Sequence, residues 1–589
     1  MFTKEQQEVI EAPIDRPIAV IACPGSGKTF TIVHRILHLL NGFFSPSDLL
    51  VITFSRKATQ ELRDRIVKVN PSCKKVTVLT FHSFGRIVLR KFGHLIGKKN
   101  FRIISEYDQW KILQELIGKS NSYDRKGILL ELQKYKSTNE CTKEEYKEIF
   151  IKYAKYMEEN VLCDFSDLIL VPNQIFIANP STLDYYQRKF QYCLVDEMQD
   201  VSHSQFMMIC HMYRVSGRIT VVGDDDQTIY SWRGADPSLL LKFSDIFSNS
   251  QEYHLSTCFR CYPHIVNVMS RVIQHNKKRV KKTICSSIKT KSISEKISIF
   301  GCLDSTKEAI LVTEFISLSL KQGNSIAVLF RTKKQSRLIS QTLKQKNIAT
   351  INVIGRSFSR DKAIDLLINA ILWVNSLKYD EKYIDEHIKE KILRFKTEHD
   401  SKVDNPTSLA QNTVPVLVQI ITDALVLHSP LIDYIIEESR NFNEPDSHLL
   451  FIDEIKMITH VQEGSQGIFL STIHQAKGLE WDDVYIIGAN KGSWPSLKSI
   501  NNSETVEEER RLFYVAISRA RKSVSISYDL TYGPSPFLLE LPENLIKEKI
   551  MSQEFESSQP KEQVPPPSLP GFCSARSFAN SQKPFKSLK

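Results

Sequence analysis

No run of about eighteen apolar residues occurs in the chain, so nothing in it is expected to span a membrane. The N-terminus has the character of neither a secretory signal nor an arginine-rich transit peptide. Eleven cysteines are scattered without a dense framework, which excludes a disulfide scaffold and points to a reducing, intracellular setting. That setting is the nucleus in a eukaryote or the cytoplasm in a prokaryote. The lone CxxC, Cys258 to Cys261, has no second pair at zinc spacing, so it is read as coincidence and not as a metal site. There is no internal repeat at a fixed short period.

What is present is an ordinary globular composition, 42% hydrophobic and 25% charged, spread over 589 residues, too many for one core. The length suits roughly three or four domains of about 100–200 residues. The formal net charge of +11 favours a polyanionic partner, nucleic acid first.

Pro17 to Cys23 reads as a short apolar strand running into a glycine-rich turn. A helix from about Thr29 to Leu40 and a strand at Leu49 to Thr53 follow. This alternation indicates a doubly wound, mostly parallel sheet. Residues from about 90 to 180 are helical in pattern with no convincing strand, and strands resume at Tyr192 to Val195 and Ile219 to Val222. A second α/β unit begins near 266, with a strand at Ser325 to Phe330, and is interrupted by a polar helical stretch with a loop-like break near Asp400 to Thr413. Its strands return at Gly467 to Ser471 and Val484 to Gly488. From Glu543 the chain is rich in Pro, Ser and Lys and reads as a disordered basic tail.

Three local patterns carry chemistry. Ala22-Cys23-Pro24-Gly25-Ser26-Gly27-Lys28-Thr29 lies between a strand and a helix, where backbone N–H groups can cradle phosphates. Lys28 would reach the β/γ oxygens and Thr29 would ligate Mg²⁺. Ala22 replaces the usual first glycine. Asp196 and Glu197 end an apolar strand, where Asp196 can hold Mg²⁺ through water and Glu197 can take a proton from the attacking water. The segment Gly223 to Ala235 combines three aspartates and Gln227 with Tyr230, Trp232 and Arg233. Its amide can face a phosphate while Tyr230 and Trp232, alternating along extended backbone, offer flat faces to bases. Tyr532 is either a second platform of this kind or a packing residue. The basic run Lys277 to Lys282 reads as a solvated or phosphate-facing surface, with a nuclear-import signal as the alternative.

Taken in order, these motifs resemble a UvrD/Rep-type superfamily 1 DNA helicase over nearly all of residues 1 to 542. The resemblance implies that Gln6, in Phe2-Thr3-Lys4-Glu5-Gln6-Gln7, reads the adenine edge. It assigns DNA contacts to Thr53-Phe54-Ser55-Arg56 and to Phe81-His82. Asp196-Glu197-Met198-Gln199-Asp200 matches the Mg²⁺ and water-activation motif, and the Gly223 segment matches the motif that couples hydrolysis to the strand. Cys258-Phe259-Arg260-Cys261 stands where the family has Asn-Tyr-Arg-Ser, so Phe259 would stack on adenine and Arg260 meet the γ-phosphate. Ser471 to Trp481 implies a DNA contact at His474 and a ribose contact at Glu480. Glu507 to Ala520 puts the arginine finger at Arg519, with Ser518 where Thr is common.

The fold then implied is α/β: two RecA-like P-loop motor domains, parallel sheets flanked by helices, each with a helical insertion, and a disordered tail. The expected division is a first motor domain at 1–89 and 181–265 with an insertion at 90–180. A second motor domain follows at 266–375 and 459–542, with a shortened insertion at 376–458 and a tail at 543–589. The implied activity is an ATP- and Mg²⁺-dependent 3′→5′ DNA helicase and single-strand translocase serving repair, recombination or replication. Its partners would be single-stranded DNA and single-strand/duplex junctions, with protein partners on the tail and the oligomeric state left open. The short second insertion makes translocation a safer expectation than strong unwinding. Two alternatives stand beside it: a translocase that mainly strips proteins from strands, and an ATP-regulated DNA-binding scaffold without motor activity. Intact Lys28, Glu197, Gln227, Arg260 and Arg519 argue against the scaffold.

Overall fold

A computed structural model describes residues 2–118, 125–138, 141, 144–289, 296–352, 362–375, 384–399, 414–427, 432, 435–436, 439, 451–452 and 467–551. The chain forms two compact units, one of Met1–Phe84, Phe176–Asn352 and Gln466–Lys589, the other of Gly85–Ile175 and Val353–Ser465.

The first unit holds two large parallel sheets and a two-stranded parallel ladder, Thr257–Cys258 with Cys285–Ser286. The six-stranded sheet runs, edge to edge, Thr77–Thr80, Leu49–Thr53, Tyr192–Val195, Ile219–Gly223, Ile18–Ala22 and Gln251–Leu255. The four inner strands are buried along their whole length. They are near-continuous apolar runs, as a sheet covered on both faces requires. All pairings are parallel, so every strand delivers its carboxyl end to the same edge. The residues after Ala22, Val195 and Gly223 therefore gather there, the usual place for a ligand in an open α/β sheet.

The seven-stranded sheet runs Thr350–Asn352, Ile468–Thr472, Ile326–Phe330, Trp481–Ile486, Ala520–Asp529, Ile297–Cys302 and Ile546–Met551, again all parallel. Glu480 and Arg519 sit just ahead of the third- and fourth-named inner strands, at their amino ends. Both sheets agree with the expected pair of RecA-like domains.

The expected tail starts too early. Glu543–Leu545 forms a 3₁₀ turn and Ile546–Met551 pairs in register with Ile297–Cys302. A strand half of whose residues are charged, Lys547, Glu548 and Lys549, can close an edge and still look like tail sequence. Residues 552–589 lie outside the described residues.

In the second unit, helices Glu106–Ile117, Arg125–Thr138 and Glu144–Glu159 pack on Leu113, Ile128, Leu132, Phe150 and Tyr153. A short parallel ladder, Arg102–Ile103 with Leu162–Cys163, was not expected in this stretch. The same unit buries a second apolar cluster, including Leu367, Ile371, Leu417 and Ile421. The loop-like break expected at Asp400 to Thr413 lies outside the described residues.

Candidate active site and nucleic-acid interface

The phosphate loop is built by its glycines. Gly25 and Gly27 have φ of +69° and +78°, and Gly27 hands the chain to helix Lys28–Leu40. A Cβ on Gly25 would fall 2.6 Å from the Arg260 Cβ, so only glycine lets that arginine's segment approach. The segment is fastened there by the Phe259 N–H, which donates to the Gly25 carbonyl at 2.8 Å. Ala22, Cys23 and Pro24 are buried beneath the loop, so the alanine at the usual glycine position is tolerated. Gln6 is 4% exposed, takes part in a capping box with Thr3, and donates to the Ser26 carbonyl at 3.3 Å. The buried Ser26 hydroxyl has no hydrogen-bond partner among the described residues. An orphaned donor, positive-φ glycines and a helix N-terminus together fit a phosphate chain. Thr29 and Asp196 offer a hydroxyl and a carboxylate, hard oxygen donors that suit Mg²⁺.

Asp196 and Glu197 divide. Burial and the neighbouring Glu197 push the Asp196 carboxyl up to about 7. Burial also pushes Glu197 up, but Lys28, Lys477 and a hydrogen bond from Gln199 outweigh it and hold it below the usual range. Gln199 in turn accepts from the Asp224 N–H at 2.9 Å, tying the carboxylate motif to the loop that carries Gln227.

Gln227 is the bridge between the sheets. Its Nε2 donates to Asp224 Oδ2 at 2.7 Å and its Oε1 accepts from Arg519 Nη2 at 3.1 Å. The carboxylate can only accept and the guanidinium can only donate, so the amide orientation is fixed by chemistry. Arg519 is fully buried; desolvation and the nearby Arg260 lower it to about 10. Arg260 donates to the Ser518 carbonyl at 3.2 Å and pairs with Glu480. Glu480, expected at a ribose, is also held by Arg521 at 2.6 Å. Phe259 is 42% exposed, free to present its ring.

The aromatics form one patch. Phe54 stacks on Tyr230 at 5.1 Å, and Trp232 lies 6.5 Å from Tyr230 and 6.4 Å from His474. Arg233 covers the Trp232 ring at 4.7 Å, and Trp232 remains 51% exposed. The Tyr230 hydroxyl donates to the His474 carbonyl at 2.8 Å, so this patch also joins the two sheets. Burial lowers His82 to about 4, helped by Arg56 and Arg233, and lowers His474 to about 4, helped by Arg331, Lys477 and Arg233. Both imidazoles are therefore neutral near pH 7 and are not phosphate-pairing cations. Tyr532 is 62% exposed.

Two expected strand contacts do not reach the surface. Thr53 is 1% exposed and its hydroxyl is spent on Thr59 and the Ser55 carbonyl. Phe81 is 4% exposed, in the first turn of helix Phe81–Phe92, where it packs inward. The basic run is corrected in part, since Lys277, Lys278 and Lys281 are exposed as a solvated surface requires. Lys282 and Arg279 are buried against Asp224, Asp225 and Asp226, and only Lys278, paired with Glu504, keeps an exposed side chain among the ion pairs of the run.

Lys477, within the Ser471 to Trp481 segment, adds contacts that its local sequence does not announce. Its ammonium meets Asp200, donates to the Gln227 carbonyl at 2.7 Å and sits 5.2 Å over the Tyr230 ring. Burial pushes Asp200 up to about 6 despite that pairing. A lysine beside a glycine after a strand-end turn was the available signal, but its partners are more than 200 residues away.

Residues 2–248 match the UvrD/REP helicase N-terminal domain, and residues 253–410 and 429–531 match the UvrD-like helicase C-terminal domain. The chain is 28% identical to the ATP-dependent DNA helicase PcrA of Staphylococcus epidermidis, covering 95% of this chain and 89% of that protein. It is also 28% identical to the ATP-dependent DNA helicase Rep of Buchnera aphidicola, covering 91% of this chain and 96% of that protein.

Proposed function

Because this chain belongs to the UvrD/Rep helicase family, we propose that it is an ATP-hydrolysing motor that moves 3′→5′ along single-stranded DNA and separates duplex at junctions. The observation that carries this reading is Gln227, hydrogen-bonded to Asp224 on one sheet and to Arg519 ahead of a strand of the other, five residues from the exposed Trp232. A group that feels both sides of the nucleotide and shares a loop with a base platform can turn a phosphate event into a strand event.

In this reading the phosphate loop and Lys28 hold the ATP phosphates, Gln6 and Phe259 hold adenine, and Glu197 accepts the proton of the attacking water. Thr29 and Asp196 would hold Mg²⁺, which when bound neutralises charge on the phosphate oxygens. Arg260 and Arg519 stabilise the γ-phosphate in the transition state. Engaging γ-phosphate releases Arg260 from Glu480, leaving that carboxylate for the ribose. Phe54, Arg56, His82, Tyr230, Trp232, Arg233 and His474 line the strand track, with Tyr532 as a separate exposed aromatic.

Trp232→Ala is expected to weaken binding of single-stranded oligonucleotide by about 1–3 kcal/mol, one stacking platform's worth. Fluorescence anisotropy should register this while nucleotide binding stays unchanged; unaltered strand affinity would remove Trp232 from the track. The motor reading itself is tested on duplexes carrying a 3′ or a 5′ overhang, with ATP turnover followed alongside. Strand-stimulated ATPase with unwinding from the 3′ overhang alone is expected. No strand stimulation would leave an ATP-regulated binding protein, and unwinding from the 5′ overhang would reverse the polarity.

A further inference from the structure

Asp224, Asp225 and Asp226 are buried, with carboxylate oxygens within 4.8 Å of one another, an arrangement that resembles a cation site. The cation is supplied by the protein. Lys282 Nζ lies 2.5 Å from Asp224, 2.6 Å from Asp225 and 3.1 Å from Asp226, with its side chain 4% exposed. It also donates to the Ala22 carbonyl, at the entry of the phosphate loop, at 3.4 Å. Arg279 grips Asp226 with two hydrogen bonds at 2.8 and 2.6 Å, and the Val280 N–H donates to Asp225 at 2.8 Å.

The residues just before these are tied elsewhere. Asn276 donates to the Glu507 carbonyl at 2.9 Å and accepts from Arg510 at 2.8 Å, and the Lys277 N–H donates to the Glu507 carboxylate at 2.8 Å. Arg511 reaches the Lys278 carbonyl at 3.2 Å. Glu507, Arg510 and Arg511 belong to helix Ser503–Ile517, which leads directly to Arg519. Residues 276–282 are thus a strap between the helix that carries Arg519 and the acidic loop that carries Gln227.

We propose that Lys282 is a positioning residue of the nucleotide site: held by this strap, its ammonium keeps Asp224 an ionised acceptor, and Asp224 thereby keeps the Gln227 oxygen turned toward Arg519. The chemistry is one of hydrogen-bond sense. Three buried carboxylates cannot all stay charged without cations among them. A protonated Asp224 would donate to Gln227, the amide would turn over, and its NH₂ would face a guanidinium that can only donate. Arg279 neutralises Asp226 and leaves Asp224 to Lys282. The proposal rests on the motor reading above.

The test is a double-mutant cycle on strand-stimulated ATPase. Lys282→Met should lower kcat by about 10²-fold, as loss of one preorganised electrostatic contact does, with the KM for ATP shifted by less than about threefold. Lys282→Arg, which retains the charge, should recover part of the loss. In a Gln227→Ala background, Lys282→Met should cost less than about twofold, because the two residues act as one unit. If Lys282→Met does not fold, Asp225→Asn/Lys282→Met removes one acid with the cation and spares Asp224, and it takes its place in the cycle. An undiminished Lys282 effect in the Gln227→Ala background, or an unchanged kcat in the single variant, overturns the proposal. Wild-type protein without strand-stimulated turnover would instead overturn the motor reading itself.

Discussion

Arg519→Ala is expected to lower strand-stimulated kcat by about 10³-fold or more, the range of an arginine finger, while binding of a fluorescent ATP analogue changes little. The reason lies in what surrounds the guanidinium. Its hydrogen-bond acceptors are the Val515 and Leu479 carbonyls, the Ser518 hydroxyl and the Gln227 amide oxygen, all neutral. No carboxylate among the described residues stands within ion-pair distance of it, although it is 2% exposed. A buried cation without a counter-anion is costly. Lowered only to about 10, it is nonetheless charged at neutral pH. The site is therefore short of one anion, which, on the proposed function, charge gathering on a transferring phosphoryl group would supply. Arg260 differs, since Glu480 already neutralises it. Arg260→Ala should consequently affect ATP affinity as well as turnover, whereas Arg519→Ala should act on turnover. Steady-state ATPase with equilibrium nucleotide titration separates these outcomes. Equal losses in affinity for both variants would assign Arg519 to ground-state binding.

What the sequence made legible follows from range. The phosphate loop, Asp196-Glu197 and the Gln227–Trp232 segment are contiguous, and their chemistry survives being read a few residues at a time. The inner strands at Leu49–Thr53 and Tyr192–Val195 were recognisable because burial on both faces demands unbroken apolar runs. Edge strands escape that demand. Gln251–Leu255 alternates exposed and covered residues, and Ile546–Met551 is half charged, so neither carries the apolar run that marks a buried strand. Side-chain direction was equally hidden. Phe81 sits inside a recognised motif, yet the first turn of its helix points it into the core. Lys282 looked like one charge in a solvated run because the acids that bury it lie more than fifty residues earlier. A charge run announces its sign but not the face on which each charge falls.

Glu197→Gln should abolish turnover without emptying either site: kcat reduced by about 10²–10⁴-fold, the contribution of a positioned base, with ATP and strand affinities retained. The backbone supports this placement. Glu197 has φ +53°, a left-handed conformation that a non-glycine residue holds only at a cost, and sites of chemistry are where such strain persists. From there the carboxylate receives Gln199, while Gln199 simultaneously accepts from Asp224 at the head of the coupling loop. The substitution is isosteric, so this chain of contacts can persist while the base is lost. The adjacent carboxylates are also pushed in opposite directions, Asp196 up to about 7 and Glu197 below its usual range. Groups separated in this way take different tasks. Glu197 stays ionised and able to accept a proton, whereas Asp196 needs a cation beside it to hold its charge. Removing the Glu197 charge relieves Asp196, so binding of Mg²⁺ with ATP should hold or tighten in the Gln variant. Single-turnover hydrolysis measured beside nucleotide affinity distinguishes the roles. A parallel collapse of both would make Glu197 a binding residue, and near-normal single-turnover hydrolysis would remove it from the chemistry.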